Sequence, residues 1–266
     1  MRLRYAGVCR ICTAELPART EAIWERSTKT VRCLAHTEPA ELIGPAEAEA
    51  PIDIGVPGAS ARREFERRKA KREKRIREKN PRLGALILAL SDDPQSTTSW
   101  ETGAVGEERV GQRLNELATD SLRVLHDRRI PGSRANVDHI VVTPNGVFVV
   151  DPKRYAGRPH LRVEGGLFRP RVEKLMVGSR NCTKLVDGAL KQVDLVQGLV
   201  GDEVPVRGVL CFVGSDWPLF GGSFTTRGVD VLWPRKLYPR LQAEGPLDVD
   251  RIAQLHATLG RALPPA

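Results

Sequence analysis

No apolar run in the sequence is long enough to cross a bilayer. The best, Leu83–Leu90, falls far short of the roughly 20 residues a spanning helix needs. No signal-peptide pattern opens the chain, because Met1–Tyr5 is followed at once by cysteines and charged residues. Together these predict a cytoplasmic protein that does not enter a membrane. Cysteine is scarce: there are five, an odd number, and two stand in a Cys-x-x-Cys pair. That disfavours a disulfide framework and points to metal binding. No internal repeat is visible. Acidic residues are outnumbered, 33 against 42 Lys and Arg, giving a net charge of +9 and a pI near 9.6. Such a balance favours a polyanionic partner or a charged membrane surface. The 266 residues suffice for one sizeable core with appendages, or for two domains.

What is present begins with a small unit at residues 1–37. Cys9-Arg10-Ile11-Cys12 and Cys33-Leu34-Ala35-His36 are two ligand pairs separated by twenty residues. Each pair offers two ligands to one tetrahedral zinc, and four protein ligands close the site to water, so the ion is structural. A segment this short cannot bury a core of its own. The metal would supply its folding energy, about 10–16 kcal/mol in comparable peptides. Glu21–Arg26 and Thr30–Arg32 read as short strands. Trp24 covers the knuckle or stacks on a base, the cover being the better reading.

Residues 38–60, rich in Ala, Glu, Pro and Gly, read as a linker. Residues 61–98 form a basic helical arm and a docking segment. Arg62–Lys79 holds eleven Lys or Arg against four Glu, a net of +7, so most of the chain's excess charge lies here. Helix formers dominate, and Arg62–Glu66, Glu64–Arg68, Lys69–Glu73 and Glu73–Arg77 are spaced as i,i+4 pairs. The arm is either a salt-bridged spacer or a phosphate-binding surface, carried by Arg67, Arg68, Lys71, Arg72 and Arg75. With no interleaved aromatics it would not read sequence. Asn80-Pro81 ends the helix, Leu83–Leu90 docks on the main domain, and Ser91–Ser99 reads as a polar loop.

The main domain, residues 99–266, centres on Val137–Lys153, VDHIVVTPNGVFVVDPK. Asn145-Gly146 between two apolar runs signals a hairpin. Taken as the two-residue turn, it sets Val142 against Val149, Ile140 against Asp151 and Asp138 against Lys153. By alternation Asp138, Asp151 and Lys153 share one side. Carboxylates are costly beside apolar side chains unless paired or bound to metal, so this face calls for a cation. Upstream, Gly103–Thr119 reads as a helix whose apolar stripe is Val110, Leu114 and Leu117, and Glu107 falls on that stripe. Four such residues favour a shared site over an exposed sheet face.

These residues carry a resemblance. Gly106-Glu107, Val137-Asp138-His139-Ile140-Val141-Val142 and Gly146–Lys153, across about residues 101–213, resemble the nuclease-related domain (NERD) family of the PD-(D/E)XK nuclease-like superfamily. The resemblance implies an α/β fold with a restriction-endonuclease-like core, a central mixed sheet flanked by helices. It also implies metal-dependent hydrolysis of nucleic acid, of which DNA is the expected kind. Asp138, Asp151 and the Pro152 carbonyl would hold Mg²⁺ or Mn²⁺, hard ions that favour oxygen. Lys153 would steady developing negative charge, and Glu107 would bind a second ion or orient water. Gln192, in the predicted helix Thr183–Val200, is similar to a glutamine often near the site in this superfamily. Val137 stands where the pattern has Pro.

Arg154 and Arg158, beside Lys153, are candidate phosphate ligands. Leu122–Leu125 reads as a first strand, Arg128–Asn136 as a loop, and Leu161–Val163 with Leu167–Arg169 as a second hairpin. Val206–Val213 and Val229–Leu232 read as late strands, and Asp248–Leu263 as an amphipathic helix. The Trp217–Gly222 loop lines a groove or caps the core. Cys182 and Cys211 read as structural thiols. Two rivals remain: a nuclease-like core that binds nucleic acid without cutting, and a scaffold whose zinc unit docks a protein partner.

Overall fold

The computed structural model describes residues 2–25, 29–34, 51–81, 95–166, 169–218 and 222–266. The chain divides into two compact units, Met1–Pro51 and Ile52–Ala266.

The first unit holds two short hairpins. β1 (Gly7–Val8) pairs antiparallel with β2 (Glu15–Leu16), and β3 (Ala22–Glu25) with β4 (Thr30–Cys33). Its core is small: Leu3, Cys9, Leu16 and Ala22, with Val31 and Cys33 against them. So few apolar groups stabilise little by burial, as expected of a unit held by a metal.

The second unit opens with an extended segment and α1 (Ala59–Lys79), followed by α2 (Gln95–Leu117). Three strands come next: β5 (Arg123–Arg129), β6 (Asn136–Thr143) and β7 (Gly146–Lys153). A side sheet of β8 (Pro159–Gly166), β9 (Arg169–Val177) and β10 (Arg180–Asn181) leads to α3 (Thr183–Val200). The chain ends with β11 (Val206–Phe212), β12 (Phe224–Thr226), β13 (Val229–Leu232), α4 (Pro234–Leu241) and α5 (Val249–Ala262).

The main sheet has six strands in the order β12-β13-β11-β7-β6-β5. β5, β6 and β7 are antiparallel neighbours; β11 lies parallel to β7 and to β13. α3 supplies the crossover that a parallel β7–β11 pair requires. β6 and β7 are buried on both faces, which is why they read as nearly unbroken apolar runs. On one face α2 lays Val110 and Leu114 against Val141, Phe148 and Val150. On the other, α3 and α5 cover Ile140, Val142, Val147 and Val149 with Val196, Ile252, Leu255 and Leu259. Each fully buried aliphatic here contributes roughly 1.5–3 kcal/mol.

Several boundaries differ from the sequence reading. The hairpin turn is Pro144-Asn145, since Thr143 pairs with Gly146, so Ile140 faces Val149 and not Asp151. The register is thus two residues from the expected one. A slip of two leaves every side chain on its own face, so the shared face survives while the facing partners change. The supposed loop from Arg128 begins later, because β5 runs through Arg129. Residues 95–99, expected to be loop, begin α2. The docking segment Leu83–Leu90 lies outside the described residues.

The supposed linker also ends early. Ile54 O accepts from His126 N at 2.6 Å, joining the segment to edge strand β5. Pro57 rests on α2 at Gly111, where a Cβ would come within 2.3 Å of the proline ring. Bare glycine backbone on a helix lets the passing chain approach this closely.

Three consecutive residues of β5 tie the unit together. His126 Nε2 meets Asn115 Oδ1 of α2 and its Nδ1 meets that of His139, both at 2.9 Å. Asp127 accepts from Ser60 in the first turn of α1 and from Asn136 of β6. Arg128, fully buried, donates to the carbonyls of Leu263, Asp53 and Gly260 at 2.5–2.6 Å. A guanidinium at the last turn of α5 satisfies carbonyls the helix leaves open and suits its dipole.

Candidate active site and metal centre

The carboxylates meet where β6 begins and β7 ends. Backbone direction alternates along a strand, and Val147 N and Lys153 O both bond toward β11. Val150 and Pro152 therefore point toward β6. The last paired residues are His139 and Val150, and Asp138 and Asp151 stand opposite one another at the next position. This is a non-hydrogen-bonded position, where side chains come closest, about 4.5 Å between Cα atoms. The missing N–H of Pro152 falls beyond the last β6–β7 pair, so the proline costs the sheet no bond in that ladder.

Crowding shows in the acid strengths. Asp138 is held well above the usual carboxylate range, by burial first and then by the charges of Glu107 and Asp151, with a hydrogen bond to Asp151. Glu107 comes from α2, on the opposite face of the sheet, yet belongs to the same group. Burial and the nearby Asp151 charge push its acid up to about 7 despite the pull of Lys153. Lys153 forms an ion pair with Asp151. Burial alone would lower its ammonium; Asp151, Asp138 and Glu107 together raise it instead. Asp151 Oδ1 is buried and, apart from that ion pair, has no hydrogen-bonding partner. Three carboxyls with a single lysine leave negative charge uncompensated, the condition a divalent cation relieves.

Gln192 reaches the same end of the sheet from α3, donating to Asn136 O at 3.4 Å, and its Oε1 is buried with no partner. Arg154 and Arg158 are exposed on the turn after Lys153, and the Arg154 stem lies beside Gly106 of α2. His139 is fully buried on the α2 side, away from Asp138, in keeping with alternation. Trp217 packs against Phe212 and Trp233 with ring centroids 6.4 and 4.7 Å apart, as a cap. Cys182 and Cys211 are buried and their thiols are raised by that burial, which makes them inert.

In the first unit Cys9, Cys12 and Cys33 bring their sulfurs within 4.8 Å of one another, the one such cluster among the described residues. Glu107, Asp138 and Asp151 are thus more loosely spaced than the sulfurs. Cys9 Sγ accepts from Cys33 N at 3.3 Å. Backbone N–H groups of Cys12, Cys33 and Ile11 lower its thiol to about 6. N–H groups turned onto sulfur stabilise thiolate, the form that binds metal. Three soft sulfur donors fit zinc. His36, the expected fourth ligand, lies outside the described residues.

Residues 102–213 match the family model of the nuclease-related domain. This segment is a nuclease-related domain. It takes in α2 from its second turn, the β5–β7 hairpins, the side sheet, α3 and β11. The chain is also 35% identical over 78 residues to an uncharacterized protein of Bacillus anthracis, covering 28% of this chain and 36% of that protein. It thus spans about a third of that relative's length. No solved structure matches. Among the described residues, no helix is long and apolar enough to cross a membrane.

Sequence reasoning missed the His126-Asp127-Arg128 hub, whose Asp127 charge also reaches Glu107. The one signal was position: His126, Asp127 and Arg128 directly follow the predicted strand Leu122–Leu125.

Proposed function

We propose that the nuclease-related domain hydrolyses phosphodiester bonds in DNA with the help of Mg²⁺ or Mn²⁺. The observation that carries this reading is the cluster of Glu107, Asp138 and Asp151 around a single lysine, with the acids of Glu107 and Asp138 pushed upward. A surface ion pair needs no such crowding, and a protein that only grips phosphates gains nothing from three carboxyls. Asp138, Asp151 and the Pro152 carbonyl would hold the cation; a buried Asp151 Oδ1 whose one partner is the Lys153 ammonium, and an all-oxygen donor set, fit a hard ion. When bound, the cation supplies Lewis acidity at the scissile phosphate.

The remaining chemistry belongs to the chain. Lys153 keeps its proton and stabilises the negative charge that builds on the phosphate oxygens. Glu107, with its acid near neutral, orients the attacking water and is poised to take its proton. Gln192 Oε1 offers an acceptor for the same water. Arg154 and Arg158 hold flanking phosphates. In the first unit Cys9, Cys12 and Cys33 would hold a structural zinc, with His36 as the fourth ligand the spacing implies.

The test is to incubate the chain with plasmid DNA, linear DNA and RNA in Mg²⁺ or Mn²⁺, beside Asp151→Asn and Lys153→Met. Cleavage of DNA by the wild type alone supports the reading. No cleavage, or equal cleavage by the variants, overturns it.

A further inference from the structure

The basic helix α1 is not a free tether. Its first turn is fastened to the nuclease-related domain by Asp127. The buried carboxylate accepts from Ser60 N, Ser60 Oγ and Asn136 Nδ2, each at 2.6 Å. Asp127 does this from a left-handed backbone conformation, φ 49°, a geometry that costs energy in a non-glycine residue. An aspartate at a helix N-terminus satisfies open N–H groups and suits the dipole; here it comes from the sheet and not from the helix. Two residues on, Arg62 Nε donates to Glu108 of α2 at 2.8 Å. The latch is also close to the site. Asn136 opens β6 two residues before Asp138, and its carbonyl receives Gln192.

Beyond Glu66 the helix is mostly exposed, with Arg72, Glu73 and Ile76 half-buried, and one of its sides is basic. Lys71, Arg75 and Lys79 recur at four-residue spacing and are exposed; Arg68 and Arg72 run beside them. Five cations therefore share one side of residues 68–79, about 16 Å of helix. Glu66 and Glu73 lie on the opposite side. Arg67 falls off this stripe and is bound to Glu64 at 2.7 and 2.8 Å, and Arg68 shares that carboxylate at 2.5 Å. The single aromatic, Phe65, is half-buried under Lys69. The stripe has nothing on which an unstacked base could lie.

We infer that α1 is a fixed lever whose Arg68–Arg72–Lys71–Arg75–Lys79 face binds the phosphate backbone of duplex DNA, and that the Ser60–Asp127–Asn136 latch holds that face in register with the carboxylate pocket. A straight, rigid row of cations complements a backbone of regular spacing better than a flexible single strand. Contact is to phosphates alone, so it is independent of sequence. The inference rests on the nuclease reading for its substrate class. Its test needs no cleavage, so the two fail separately.

Binding of a short duplex and of the matching single strand is measured in EDTA across a salt series. The wild type should favour the duplex. Lys71→Gln/Arg75→Gln/Lys79→Gln should reduce the slope of log affinity against log salt by about 3, close to 0.9 for each phosphate that is no longer neutralised. Asp127→Asn and Ser60→Ala should keep the slope but weaken duplex binding about tenfold, because the loosened arm must be ordered on binding. Ser60→Ala carries this arm if Asp127→Asn does not fold. An unchanged slope in the triple variant overturns the backbone contact. Equal or tighter binding of the single strand overturns the duplex. Full affinity in a folded latch variant overturns the lever.

Discussion

Asp138 and Asp151 face each other across two antiparallel strands, one position past the last paired residues, and their carboxyls share a hydrogen bond. Two acids can hold that geometry only with a proton or a cation between them. Without metal, the raised acid of Asp138 and the Lys153 ammonium on Asp151 do the work; the nuclease reading requires that a divalent cation take the place of the proton.

The first consequence is a pH dependence of stability in chelator. Glu107 has an ordinary value of 4.5 and is pushed up to about 7 in the fold. Its folded form binds the proton more tightly, so its contribution is fully present below about pH 4.5 and lost as pH rises through about 7. Glu107→Gln should therefore melt higher than wild type at pH 8 and alike at pH 4. Added Mg²⁺ or Mn²⁺ should stabilise the wild type more than the variant at pH 8. Thermal melts in EDTA and in metal check both.

The Lys153–Asp151 ion pair is mostly buried, with side chains 24% and 9% exposed. Lys153→Met leaves Asp151 buried and unneutralised and should cost about 3 kcal/mol, the low end for a broken buried pair. Asp151→Asn added to Lys153→Met should recover most of that stability and none of the cleavage. Denaturant titration of the two variants decides it.

Arg128→Met should cost about 4 kcal/mol in a urea titration. It removes three charge-assisted bonds and strands the carbonyls of Asp53, Gly260 and Leu263. A loss below about 1 kcal/mol would mean that water replaces the guanidinium.

Chelation should release one zinc per chain and expose thiols unequally. Cys9, Cys12 and Cys33 should then react with a thiol reagent, while Cys182 and Cys211 stay unreactive until the domain unfolds. Titrating the reactive thiols before and after chelation, with Cys9→Ser as control, checks this.

Much of this protein was legible along the chain because it depends on local period. Apolar runs buried on both faces marked β6 and β7, and a stripe at helical spacing marked α2 and α3. The paired cysteines announced a metal unit, of which the sulfurs are placed. Alternation alone put Asp138, Asp151 and Lys153 on one side, and it did so even with the hairpin register misjudged by two, since two is the repeat of a strand. Tertiary structure decided what no period encodes. It set Asp138 against Asp151, brought Glu107 to them from the opposite layer, docked residues 52–58 at Gly111, and made β5 the anchor of α1, α2 and α5. Those contacts join residues up to 135 positions apart, such as Arg128 and Leu263, and arise only when separate elements pack. A sequence records which side chains can pair; the packed fold selects the partners that are close enough to do so.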